Sequence, residues 1–327
     1  MQNLIHLIRR TALALATLGL IAGLVLTVPG VIIAQEQSNA RAQKRLSRWD
    51  RQPQLTDAVV RAEQQVFKST PQGDLKLHIW SPEKSGRNRP CIVFFFGGGW
   101  KGGTPQQFAR QSAYLASRNM VAISAEYRIL GTHKTTPDVC VEDAKSAIRW
   151  VRAHAGDLGI DPDKVIAGGG SAGGHLAAAT ALVPDFNAKS DDPSISAIPN
   201  AMVLFNLALD LTLLDREITD GEGKSINKAI SPTRFLHKKA PPAIIFFGTD
   251  DGLAKHGVEY ATKAKELGLD VELWWAADQG HGFFNDTPWL EVTTQRVDKY
   301  LTRLGYLNGE SAISEPKNAP SLTRELE

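Results

Sequence analysis

The chain has 327 residues, 43% of them hydrophobic and 22% charged, with a formal net charge of +2. That length supports a full core, as one large α/β domain or two small ones, and so small a charge argues against nucleic acid or an acidic partner. Its two cysteines, Cys91 and Cys140, form no CxxC pair, which excludes a zinc site built from thiolates. Whether they join in a disulfide or remain buried thiols is left open by the sequence.

Arg9 and Arg10 precede an uncharged apolar run over residues 11–34, the layout of a signal peptide with cleavage between Ala34 and Gln35. The same run is long enough to span a bilayer as a helix. Arg41, Lys44, Arg45, Arg48 and Arg51 follow it, and positive charge at that place resists translocation. Residues 1–34 are expected to direct the domain to the periplasm or beyond, as a cleaved peptide or a membrane anchor. Residues 35–61 are polar and basic and read as a linker.

From Val66 the pattern changes. Leu75, Leu77 and Ile79 alternate with polar residues after the turn Pro71-Gln72-Gly73, which predicts an antiparallel hairpin. Continuous apolar runs follow at residues 91–96, 121–125, 165–167, 201–209, 243–247 and 271–275, as expected for parallel strands buried on both faces. Helices are predicted over 106–118, 138–158, the stretch after Ser171, 255–267 and 292–304. The second is the clearest, with Val141, Ala144, Ile148 and Val151 at helical spacing and Gly159 and Pro162 ending it. The alternation predicts one doubly wound, mostly parallel α/β domain over residues 62–307. The polar tail, residues 308–327, is expected to be disordered. Residues 185–200 and 211–240 interrupt the alternation and are expected as short cap insertions above the carboxyl edge of the sheet, where ligands bind in such folds.

Gly169-Gly170-Ser171-Ala172-Gly173 lies between a predicted strand and an Ala-rich helix. A G-x-S-x-G in that setting makes a tight elbow that exposes the serine hydroxyl above the sheet, at a helix N-terminus that favours developing negative charge. Phe96-Gly97-Gly98-Gly99-Trp100 follows another strand, and its glycines let the main chain approach a substrate carbonyl. No lysine followed by Ser or Thr comes after the last glycine, which argues against a phosphate loop. A nucleophilic serine needs a base, and the base an orienting acid. His281, in Gln279-Gly280-His281-Gly282-Phe283 after the last long strand, is the candidate base. Asp251, in Phe247-Gly248-Thr249-Asp250-Asp251, is the candidate acid, one helix and one strand before it. His175 shares the helix of Ser171 and reads as a packing or surface residue. The adjacent carboxylates of Asp250 and Asp251 make a poor calcium site, which needs 6–8 oxygens. Neither a metal nor a cofactor is implied.

With these motifs in place, the chain from about Val66 to Leu307 resembles the hormone-sensitive-lipase-like and acetyl-esterase branch of the α/β-hydrolases, which includes bacterial acetylxylan and feruloyl esterases. Its elbow, oxyanion loop, acid turn and histidine turn match at Gly169 to Gly174, Phe96 to Trp100, Gly248 to Asp251 and Gly280 to Phe283, and Glu126-Tyr127-Arg128 matches a recurrent strand end. The resemblance implies oxyanion N–H donors at Gly98, Gly99 and Ala172, and a serine carboxylesterase acting through an acyl-enzyme on Ser171. One residue departs from the pattern. The histidine that braces the family's oxyanion loop is Phe96 here, which leaves open how the loop is held. Trp100 and Phe283, with Phe284, are expected to narrow the acyl pocket and to stack on a sugar or aromatic ring. Short-acyl esters of carbohydrates, acetylated or feruloylated, are the expected substrates. An amidase of the arylformamidase type and a non-catalytic binding protein of the same fold are the alternatives.

Overall fold

The computed structural model describes residues 62–313 and 319–325. The expected signal peptide or anchor, 1–34, and the expected linker, 35–61, lie outside the described residues. Among those described, no helix is long and apolar enough to cross a membrane.

The strands are β1 (Glu63–Thr70), β2 (Gly73–Trp80), β3 (Arg89–Phe95), β4 (Val121–Ala125), β5 (Ile160–Gly170), β6 (Ala201–Phe205), β7 (Ala243–Gly248), β8 (Val271–Ala276) and β9 (Leu322–Arg324). They form one nine-stranded sheet in the order β1-β2-β4-β3-β5-β6-β7-β8-β9. Strands β4, β3 and β5 to β8 run parallel, and antiparallel partners close both edges. The helices are α1 (Ala109–Ser117), α2 (Leu130–His133), α3 (Pro137–Ala153), α4 (Ala155–Leu158), α5 (Ala172–Leu182), α6 (Ala254–Glu266) and α7 (Trp289–Arg303).

Strand periodicity divides the apolar side chains between two cores. On one face Val93 and Phe95 pack with Val141, Ala144, Ile148 and Val151 of α3 and Leu176 of α5. On the other, Ile92 and Phe94 pack with Leu115 of α1 and Val292, Val297 and Leu301 of α7. Successive residues of one strand therefore feed opposite layers, which explains why the central strands are continuously apolar. The fold is the expected doubly wound, mostly parallel α/β sheet. Cys91 and Cys140 are buried free thiols.

Two expectations are corrected. Residues 185–200 do not cap the carboxyl edge. They follow the carboxyl end of α5, which runs away from that edge, and Asn200 N–H bonds Val165 O (2.7 Å) at the start of the paired part of β5. This insertion lies at the amino edge, where Arg149 and Arg152 bond the carbonyls of Ile195 and Ser196. Residues 211–240, which leave the carboxyl end of β6, do sit above the sheet. The tail is not wholly disordered, because Leu322–Arg324 pairs antiparallel with Trp274, Trp275 and Ala276 of β8.

Helix α5 carries His175, fully buried, whose Nε2–H donates to Ile230 O at 2.7 Å. Burial pushes this imidazole down from its ordinary 6.5 to about 4, against the opposing effect of the Ile230 carbonyl. Unfolding then takes up a proton wherever pH lies between those values, so stability present above pH 6.5 is lost as pH falls toward 4. Chemical denaturation across that window should show a decline of ~3 kcal/mol from this group, smaller in His175→Gln. A flat profile in the wild type would contradict the burial argument.

Candidate active site

The carboxyl ends of β3, β5, β6, β7 and β8 lie side by side, since Phe95 pairs with Gly169, Gly170 with Phe205, Phe205 with Phe246 and Gly248 with Ala276. Each chemical group of interest leaves one of these ends. Ser171 sits between β5 and α5 at φ +53°, ψ −118°, a conformation a non-glycine residue adopts only when its surroundings impose it. Ser171 N–H donates to Phe205 O at 2.8 Å and ties the elbow to β6. The glycines around it answer to close approach. A Cβ on Gly173 would lie 2.0 Å from Phe95 O, and one on Gly169 would lie 2.5 Å from the Gly173 carbonyl.

His281 Nε2 lies 2.9 Å from Ser171 Oγ, and its Nδ1 lies 2.9 and 3.2 Å from the two Asp251 carboxylate oxygens. A carboxylate only accepts, so Nδ1 carries the proton and Nε2 is left to accept the serine hydroxyl. The Asp251 side chain is 1% exposed, whereas that of His281 is 43% exposed. Burial pushes the Asp251 carboxyl up, but His281, Leu253 N–H and the Asn206 amide more than offset it and leave the group below its ordinary value. Asp251 is therefore ionised throughout the range in which an imidazole titrates. Asp250, next in sequence, is exposed and does not reach His281. The structure thus brings Ser171, His281 and Asp251 together in one chain of hydrogen bonds.

The oxyanion loop is arranged around Phe96, which is buried, stacks on Tyr127 with centroids 4.2 Å apart, and accepts a 2.6 Å hydrogen bond from the Tyr127 hydroxyl at its carbonyl. Gly97 N–H donates to Gln107 Oε1 (2.6 Å). The N–H groups of Gly98 and Gly99 have no acceptor among the described residues, and that of Ala172, in the first turn of α5, has none within the helix. Gly98, at φ +129°, could not be replaced, because a Cβ there would meet Gly102 O at 2.1 Å. The Glu126-Tyr127-Arg128 segment serves the same region: Tyr127 holds the loop and Arg128 forks onto the buried Asp143.

A cavity of about 250 Å³ opens beside Ser171, walled by Gly99, Trp100, Ala172, Ala208, Leu214 and Leu253, with Asp215 and Arg216 also on its wall. Larger cavities of about 870 and 880 Å³ lie elsewhere and contain none of the three groups just joined. Trp100 lines the small cavity but is 4% exposed, edge-on to His175 (5.2 Å), with the Arg216 guanidinium 5.7 Å from its ring. Phe283 does not line it, which corrects the expectation for this residue and for Phe284. Phe283 packs edge-on against Trp289 at 5.4 Å, and Phe284 stacks on Phe205 at 4.6 Å, both in the opposite core layer.

Sequence reading missed four residues at the site. Asn206, fully buried at φ +48°, donates to Asp251 Oδ2 at 2.6 Å. Its position directly after β6 was the available signal. Gln107 and Asn285 gave none, since each sits in a segment without a motif, whereas Arg216 falls in the 211–240 insertion expected above the carboxyl edge.

The BD-FAE family model matches residues 77–259. Carboxylesterase NlhH of Mycobacterium tuberculosis is 28% identical over 231 residues, which cover 65% of this chain and 72% of that protein. An arylesterase of Saccharolobus solfataricus is 35% identical over 215 residues, 60% of this chain and 68% of its own. Among solved structures, Thermogutta terrifontis esterase 2 phosphonylated by cyclosarin superposes with a TM-score of 0.72 at 43% identity, covering 76% of this chain and 96% of that one. Its propionate-bound form gives 0.73 at 42%, covering 77% and 97%. A model match over more than half the chain, together with esterase relatives and neighbours throughout, means that the chain belongs to the BD-FAE family and is a carboxylic ester hydrolase, a serine esterase of the α/β-hydrolase fold.

Proposed function

We propose that the protein hydrolyses short-acyl esters through an acyl-enzyme on Ser171, with His281 as the base and Asp251 as its orienting acid. The observation that carries this reading is the unbroken relay from Asp251 to Ser171, with its 2.9 Å steps, opening on the 250 Å³ cavity. Ser171 Oγ attacks the acyl carbon while its proton passes to His281 Nε2. The negative oxygen that forms is received by the free N–H groups of Gly98, Gly99 and Ala172. The ester C–O bond then breaks and the alcohol leaves with the proton from His281. Water, deprotonated in turn by His281, attacks the acyl-enzyme, releases the acid and restores the serine hydroxyl. Asp251 stays ionised and stabilises the imidazolium at each stage.

The cavity argues for a small acyl group, because it holds only about 250 Å³ and Trp100, Leu214 and Leu253 line it. Propionate and butyrate are the ligands in two structures of the Thermogutta esterase, which supports the same size class. Within carbohydrate esters we place acetylated ahead of feruloylated substrates, since the rings expected to stack on a feruloyl group, Trp100 and Phe283, are buried. The apolar run at residues 11–34 supports delivery outside the cytoplasm, where such polymers are met. Fractionation that recovered the full-length chain in the soluble cytoplasm would refute that address.

Ser171→Ala should abolish hydrolysis, and with it any phosphorylation by paraoxon, the modification that one of the Thermogutta structures records for its own protein. Residual turnover in a folded Ser171→Ala enzyme would overturn the mechanism. Asp251→Asn should lower kcat by ~10⁴-fold, as when an imidazole loses its orienting carboxylate, and Asp250→Asn should change it by less than about threefold. Equal effects at the two positions would mean the relay does not run through Asp251. With p-nitrophenyl esters, kcat/KM should be highest between acetyl and butyryl and fall steeply beyond, at roughly 1–3 kcal/mol for each methylene that no longer fits. An optimum at about eight carbons would point to a lipase.

A further inference from the structure

Two loops must be held in register for the proposed chemistry, the one bearing Gly98 and Gly99 and the one bearing His281. They leave different strands, β3 and β8, and the chain separation between them is large. One chain of amides joins them. Gln107 Oε1 accepts from Gly97 N–H at 2.6 Å, Gln107 Nε2 donates to Asn285 Oδ1 at 3.1 Å, and Asn285 Nδ2 donates to Gly282 O at 2.8 Å.

The direction of this chain is fixed. A backbone N–H can only donate, so the Gln107 oxygen must face Gly97 and its nitrogen must face Asn285. A backbone carbonyl can only accept, so the Asn285 nitrogen must face Gly282 and its oxygen must face Gln107. Both ends abut the reacting groups: Gly97 precedes the free donors, and Gly282 follows the base. The usual brace of the first loop is absent, since Phe96 offers no side-chain donor, and the Tyr127 hydroxyl reaches only the carbonyl of Phe96.

We propose that Gln107 and Asn285 are positioning residues that lock the oxyanion loop to the histidine loop, so that the N–H donors and the imidazole are presented together. The proposal rests on the acyl-enzyme reading above. Neither side chain touches the substrate. Their effect is on where the donors stand when the tetrahedral oxygen forms, and a donor that is displaced loses much of the 10²–10³-fold that a well-placed one supplies. Ground-state binding in the 250 Å³ cavity does not pass through them, as neither lines it.

The test uses the full chain with Gln107→Met, Asn285→Ala and the double variant, rates being normalised to active sites titrated with a fluorophosphonate. Each single variant should lower kcat by roughly 10- to 100-fold, leave KM within about twofold, and weaken a trifluoromethyl ketone inhibitor in parallel with the lost kcat/KM. The double variant should be no worse than the poorer single one, because one broken link opens the whole chain. Asn285 is only half-buried, so its variant remains informative if Gln107→Met folds badly. Variants with wild-type kcat and inhibitor affinity on a normalised basis, or losses that simply multiply in the double variant, would overturn the proposal. A wild-type enzyme that the fluorophosphonate fails to label would instead refute the acyl-enzyme reading itself.

Discussion

The site depends on how closely the first turn of α5 is seated against the end of β3. A methyl group on Gly173 would come within 2.0 Å of Phe95 O and 2.4 Å of Phe96 O, so only glycine permits the contact. That seat fixes two things at once. It forces the chain through the strained turn at Ser171, which lifts the hydroxyl clear of the sheet. It also sets the helix N-terminus, with the unpaired N–H of Ala172, beside the loop that carries Gly98 and Gly99. Gly99 from one segment and Ala172 from the other then border the same small cavity beside Ser171.

Holding a helix end at that distance takes more than glycine. The far end of α5 is clamped by Lys145, whose buried ammonium donates to the carbonyls of Val183 (2.7 Å), Pro184 (3.4 Å) and Asp185. These carbonyls belong to the cap residue Val183 and the two residues after it, at the end of the helix where a cation is favoured. Burial pushes Lys145 down to about 8, so the clamp weakens in moderately alkaline solution. His175 fastens the first turn of the same helix to Ile230 in the cap segment. Asp143, two residues before Lys145 and so on the other side of α3, gathers Lys68 and Arg128 and so secures the strand end that precedes the Tyr127 brace. A buried carboxylate is tolerable there because two cations and a backbone N–H meet it.

What was legible in the sequence was whatever a short segment decides alone. The elbow at Ser171 and the turn at His281 follow from glycine spacing and strand ends, the strands themselves from runs of apolar residues, and the choice of Asp251 over Asp250 from the family's acid-turn pattern. What was not legible depends on where distant segments meet. Residues 185–200 look like residues 211–240 in composition, yet the first leaves a helix that has already crossed to the amino edge and the second leaves a strand at the carboxyl edge. Phe283 sits two residues beyond His281, but a 3-10 turn over Phe283–Asn285 directs it into the layer opposite the cavity. Leu322–Arg324 carries too short an apolar signal to announce a strand, and only the open edge of β8 makes it one.

The substitution of Phe96 for a histidine shows the same division at a single position. A histidine in the oxyanion loop braces it through its own side chain, and its loss reads in the sequence as a missing support. Here the ring is apolar and the support comes from outside the motif, through Tyr127 on the carbonyl of Phe96 and Gln107 on the N–H of Gly97. Both use the backbone of the loop, which every sequence possesses. A hydrogen bond to backbone constrains the peptide plane directly, whereas one to a side chain acts through rotatable bonds. The Phe96 ring adds the stacking contact with Tyr127 that fixes the direction of the tyrosine hydroxyl. Apolar packing and polar bracing therefore depend on one another at this loop.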